Sequence, residues 1–136
     1  MHYVRVMVIH YSGAPDLKKA AKEIVLLLGL VHIDLEQVMY IRSRGSKARK
    51  TLARIHGLPR IWQTALGTKP CYVLEVVSET FDKLAQEEQE RVLIHEFLHI
   101  PWSFGGGFRH HQDWVDRRRV EQMHRILEER RKLAVS

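Results

Sequence analysis

His95-Glu96-Phe97-Leu98-His99 sets two histidines four residues apart, with a glutamate directly after the first. On a helix such histidines stack one turn above each other, so both imidazoles can address one metal ion. Glu96 then faces a water at that ion. This is the minimal equipment of a zinc hydrolase that cleaves peptide bonds, with Glu96 as general base. The plain alternative is a surface helix with two incidental histidines, and the surrounding residues argue against it.

The segment from Leu84 to Ile94 predicts a helix leading into the motif. Glu87, Glu88 and Glu90 occupy its early turns, where negative charge suits the helix dipole. Leu93, Phe97 and Ile100 recur at helical spacing and form a face for burial, while Val92, His95, Glu96 and His99 share another. Pro101 stops the helix just past the second histidine.

Two histidines hold a catalytic zinc poorly, because such sites use three protein ligands and a water. The third must come from beyond the turn at Ser103 to Gly107. The metzincin spacing would require a histidine at position 105, which is Gly105, so that subclass is excluded. The candidates are His110, His111, Asp113, Asp116 and Glu121, with His124 further on. Either His110 or His111 can reach back after a glycine turn that reverses the chain. An oxyanion donor is also needed, and Arg109, His110, His56 and Tyr72 are candidates.

Upstream, Met1 to Tyr11 alternates as a short strand, and Pro15 to Leu28 reads as a helix closed by Gly29. Its inward residues are Leu17, Ala20, Ala21, Ile24, Leu27 and Leu28. Strands are expected over Leu35–Arg42 and Thr51–His56, with a basic loop over Ser43–Lys50 between them. Arg60 to Leu66 predicts a short helix ended by Gly67, and Cys71 to Val77 the strongest strand. A long helix should run from about Gln112 to Lys132. Together these give an α+β fold, a small mixed sheet packed against the HExxH helix and a long C-terminal helix, as one domain over residues 1–136. Trp62, Trp102 and Trp114 are expected as apolar anchors, Trp102 also as a candidate cleft wall, and Cys71 as a small core residue. His2, His10, His32 and His124 are read as structural or incidental.

With 136 residues, 45% hydrophobic and 28% charged, the chain can bury one core. Its longest apolar run, Ile24 to Leu30, is too short to span a bilayer, so no membrane partner is expected. A lone cysteine forms no intrachain disulfide, and the first residues lack a signal-peptide pattern; a cytoplasmic protein is expected. The net charge of +6 admits nucleic acid as a partner through Arg42–Lys50 and Arg117–Lys132. Acidic neighbours, among them Asp116, Glu121 and Glu128, can equally pair with the second cluster.

Residues 54 to 115 resemble a family of small metallopeptidases of archaea, bacteria and phages. The likeness rests on Arg54-Ile55-His56-Gly57-Leu58-Pro59, on Tyr72-Val73-Leu74-Glu75 and on His95-Glu96-Phe97-Leu98-His99-Ile100-Pro101. Gly106-Gly107-Phe108-Arg109-His110-His111 completes it. The resemblance implies a zincin-like fold, one Zn2+ ion on His95, His99 and His111, and a peptide or protein substrate. It also implies that the strand before the active helix, Cys71 to Val77, borders the cleft and pairs with an extended peptide. Gln112 departs from the pattern, which has glycine there. A looser similarity links the C-terminal part to SprT-like proteases, which act on DNA-associated proteins. A non-catalytic metal-binding protein is the third reading, and a metal-dependent nuclease is disfavoured.

Overall fold

The structure, a computed structural model, describes residues 8–47, 49–109 and 115–135. Four strands form a mixed sheet: β1 (His10–Gly13), β2 (Val38–Arg44), β3 (Ala53–Gly57) and β4 (Tyr72–Val77), in the order β1-β2-β4-β3. β4 runs parallel to β2 and antiparallel to β3, with Val38 opposite Tyr72 and Ile55 opposite Leu74. Paired on both edges, β4 carries an almost unbroken apolar run. Tyr72, Leu74 and Val76 are fully buried, as a central strand demands.

Five helices complete an α+β fold: α1 (Pro15–Leu28), α2 (Arg60–Leu66), α3 (Ser78–Phe81), α4 (Gln86–Leu98) and α5 (Arg117–Val135). Leu17, Ala21 and Ile24 of α1 meet Leu93, Ile94 and Phe97 of α4 and Leu127 of α5 in one core with the sheet. Pro15 opens α1, and Gly29, left-handed at φ 65°, closes it. Asp16 in its first turn takes a two-pronged bond from Arg42 of β2, at 2.6 and 2.8 Å.

Several expectations shift. The N-terminal strand is described only from His10, and residues 1–7 lie outside the described residues. Leu35–Gln37 forms a 3-10 turn capped by Asp34, so β2 starts three residues late and extends into the expected basic loop. Asp34 draws the Glu36 N–H to its side chain and so holds these residues out of strand geometry. α3, unforeseen, is one turn directly after β4. The final helix begins at Arg117, and Gln112 lies outside the described residues. Trp62 and Trp102 are 57% and 60% exposed and so are not core anchors; Trp114 lies outside the described residues. Cys71 is half-buried, just ahead of the strand.

Candidate metal and active site

α4 divides its faces as its spacing requires. Leu93, Ile94 and Phe97 enter the core, while Val92, His95, Glu96 and His99 line a cavity of about 760 Å³. The helix ends within the motif itself. His99 is its C-cap, and its N–H closes on the Glu96 carbonyl at 3.1 Å. The Nε2 atoms of His95 and His99 stand 3.2 Å apart with the rings inclined at 71°.

His99 is oriented from behind. Its Nδ1 lies 2.9 Å from the Arg109 carbonyl, which can only accept, so Nδ1 carries the proton and Nε2 the lone pair. The Arg109 N–H returns a 2.7 Å bond to the His99 carbonyl. The chain beyond the glycine turn is thereby strapped to the second histidine.

The turn is itself buckled in place. The hydroxyl of Tyr72 accepts the Gly106 N–H at 2.9 Å and donates to the Gly107 carbonyl at 2.8 Å. Gln63 donates its side-chain amide to the carbonyls of Leu58 and Gly105, at 2.8 and 3.0 Å. Gly106 sits at φ 99°, and a Cβ there would strike the Leu58 carbonyl oxygen; one at Gly57 would strike that of Gly106. Two stretches far apart in sequence, Gly57-Leu58-Pro59 and the glycine turn, therefore touch backbone to backbone.

Glu96 is buried at the cavity, and burial pushes its carboxyl up to about 7. A cation on the neighbouring imidazoles would draw that value back down. Leu52, Ala53 and Ile55 form one wall, Phe108, Val115 and Val120 another. β3 is an edge strand on this wall, and Ala53 and Ile55 point into the cavity. The expectation that Cys71 to Val77 borders the cleft is corrected: β4 is hydrogen-bonded on both sides and has no edge to offer.

The other expected residues separate clearly. Asp116 and Glu121 line the cavity, but Asp116 accepts the Arg119 N–H at 2.7 Å and Glu121 meets Arg91 at 3.0 Å. His124 is buried between helices, 3.1 Å from Glu90, away from the cavity. His56 points to the other face of β3, 2.8 Å from Glu75, and Tyr72 is committed to the glycine turn. His32 supports the motif from outside, 3.1 Å from the Ile100 carbonyl. His110, His111 and Asp113 lie outside the described residues. Among the described residues no group of three or more His, Cys, Asp or Glu converges as a metal site.

Do the described residues suit a metal? Two nitrogens at about 2.0–2.1 Å from one tetrahedral zinc stand about 3.3 Å apart. The observed 3.2 Å meets that requirement, and the carbonyl behind His99 fixes the tautomer a ligand needs. The donor set fits.

The sequence profile of a family described as "Putative phage metallopeptidase" matches residues 9–131. The chain belongs to that family. No curated protein and no solved structure matches it significantly. The family designation carries a metal cofactor and protein or peptide substrates. Sequence reasoning missed Gln63, the buckling role of Tyr72 and the Arg109 carbonyl. Nothing in the spacing flags Gln63, because it lies off the apolar arc of its helix, where a polar residue is ordinary.

Proposed function

We propose that this metallopeptidase is zinc-dependent and cleaves peptide bonds with Glu96 as its general base. The observation that carries the reading is the His95–His99 pair, 3.2 Å between nitrogens, beside a buried Glu96 at an open cavity. His95, His99 and His111 would hold the ion; the family resemblance selects His111, and the strap between Arg109 and His99 supports its reach. When bound, the ion supplies a Lewis acid and lowers the pKa of a water to about 7.

The chain's own residues do the rest. Glu96 takes a proton from the attacking water onto a carboxylate oxygen and delivers it to the leaving nitrogen. The outer edge of β3 offers N–H and C=O groups for an extended substrate to join as a further strand, and Ala53 and Ile55 place its side chains. Phe108, Val115 and Val120 supply an apolar wall of the same cavity. Arg42, Arg91 and Arg131 are engaged with carboxylates, which takes those three cations out of any nucleic-acid surface.

The test combines elemental analysis with turnover of an unstructured protein substrate. One zinc per chain is expected, with Glu96→Gln keeping the metal while kcat falls about 10²- to 10⁴-fold. His111→Ala should lose the metal and His110→Ala keep it; the reverse would reassign the ligand. Full metal with no turnover by the parent chain would leave a non-catalytic metal-binding protein.

A further inference from the structure

α2 is built inside out. At about 100° per residue, Ile61, Ala65, Trp62 and Leu66 cover one arc of about 140°. A surface helix ordinarily turns such a stripe to the core. Here Ile61 is 76% exposed, Trp62 57% and Leu66 59%, whereas the polar Gln63 faces inward to the Leu58 and Gly105 carbonyls. The helix is well closed, by Gly67 at φ 66°, and among the described residues no other helix or strand packs broadly against it.

The charges around this face have one sign. Arg60 opens α2 and Lys69 follows it, both exposed and neither with a carboxylate partner among the described residues. No Asp or Glu occurs from Gly57 to Leu74, in a chain of net charge +6.

We propose that α2 is a peripheral membrane contact, seating Ile61, Trp62 and Leu66 in the interface of an anionic bilayer with Arg60 and Lys69 on its headgroups. Charge complementarity selects this occupant. A second copy, docked through the same face, would bring its own Arg60 and Lys69 against these. A stable protein interface takes about 20–30 residues a side, whereas a bilayer accepts a few projecting apolar side chains. Tryptophan beside cations suits the headgroup boundary. The proposal runs opposite to the sequence expectation of no membrane partner. Hydropathy does not announce it because a surface contact needs no spanning segment, and no described helix is long and apolar enough to be one. It stands independently of the peptidase reading. Through Gln63 it would place the bilayer near the turn that follows His99.

Flotation of the full chain with vesicles tests it, comparing mixed phosphatidylglycerol and phosphatidylcholine with phosphatidylcholine alone. Binding is expected to the anionic vesicles only. I61S/L66S and R60E/K69E should each weaken it about tenfold or more, with circular dichroism unchanged. K18E/K19E on α1 changes net charge equally and should leave binding within about twofold. Failure to bind anionic vesicles would overturn the proposal. So would equal losses in both charge variants with none in I61S/L66S, which is diffuse adsorption of a basic protein. Sedimentation showing a dimer that I61S/L66S dissolves would give the face to a second copy instead.

Discussion

His99 depends on residues that never touch a substrate. Its ring is set by the Arg109 carbonyl, and Arg109 reaches it because Tyr72 and Gln63 hold the intervening turn. Tyr72→Phe removes one hydroxyl and takes the partner from two half-buried backbone hydrogen bonds, those of the Gly106 N–H and the Gly107 carbonyl. The expected cost is about 1–3 kcal/mol in urea unfolding, with weaker zinc affinity in a competition assay. Zinc affinity unchanged beside lowered stability would confine Tyr72 to the fold. Gly106→Ala should be harsher, since φ 99° and the Leu58 carbonyl both oppose a side chain. Thermal unfolding would show it.

Between elements, the decisive contact is the clamp of α4 against α5. Glu90 leaves the face of α4 away from the cavity and meets His124 at 3.1 Å and Arg131 in a close ion pair; Arg131 also holds Glu23 of α1. Burial raises the Glu90 carboxyl, but the bonds from Arg131 and His124 outweigh burial and hold it below its ordinary 4.5. A folded value below the unfolded one means stability that is present above pH 4.5 and drains away as pH falls through the folded value. Glu90→Gln should therefore be less stable than the parent at pH 7 and converge with it in acid. Urea midpoints across pH check this, and parallel curves would refute it. Beside this clamp, Leu127 fills the core from α5, and Leu127→Ala should cost about 2–5 kcal/mol.

At the scale of the molecule, the ion would join the HExxH helix to the chain beyond the glycine turn, so its occupancy should be felt as global stability. A ligand at one hundred times its Kd adds about 2.7 kcal/mol, or roughly 10 °C in Tm for a chain of this length. Chelation should lower Tm by that order and zinc should restore it; a Tm indifferent to chelator would detach the metal from the fold. The same scale governs substrate access. The cavity lies between α4 and the β3 edge, so a peptide methylated at backbone nitrogens that would pair with β3 should bind more weakly than its parent in inhibition assays.

Much of this was legible along the chain because it is local. The helical spacing of Val92, His95, Glu96 and His99 assigned them one face, and Gly29 and Gly67 ended their helices through backbone freedom that needs no distant partner. Strand order is not local. β4 looked like a cleft strand until β2 and β3 took both its edges, and only that pairing left β3 open. Residue type did not foretell burial either: Trp62 and Trp102 are exposed, Trp102 even though its ring meets that of His32 at 4.5 Å between centroids. The sequence by itself determined which side chains share a helical turn, because that follows from backbone geometry and spacing. Only the tertiary structure decided what stands behind His99 and which strand edge stays unpaired, because both depend on segments that meet across long stretches of chain.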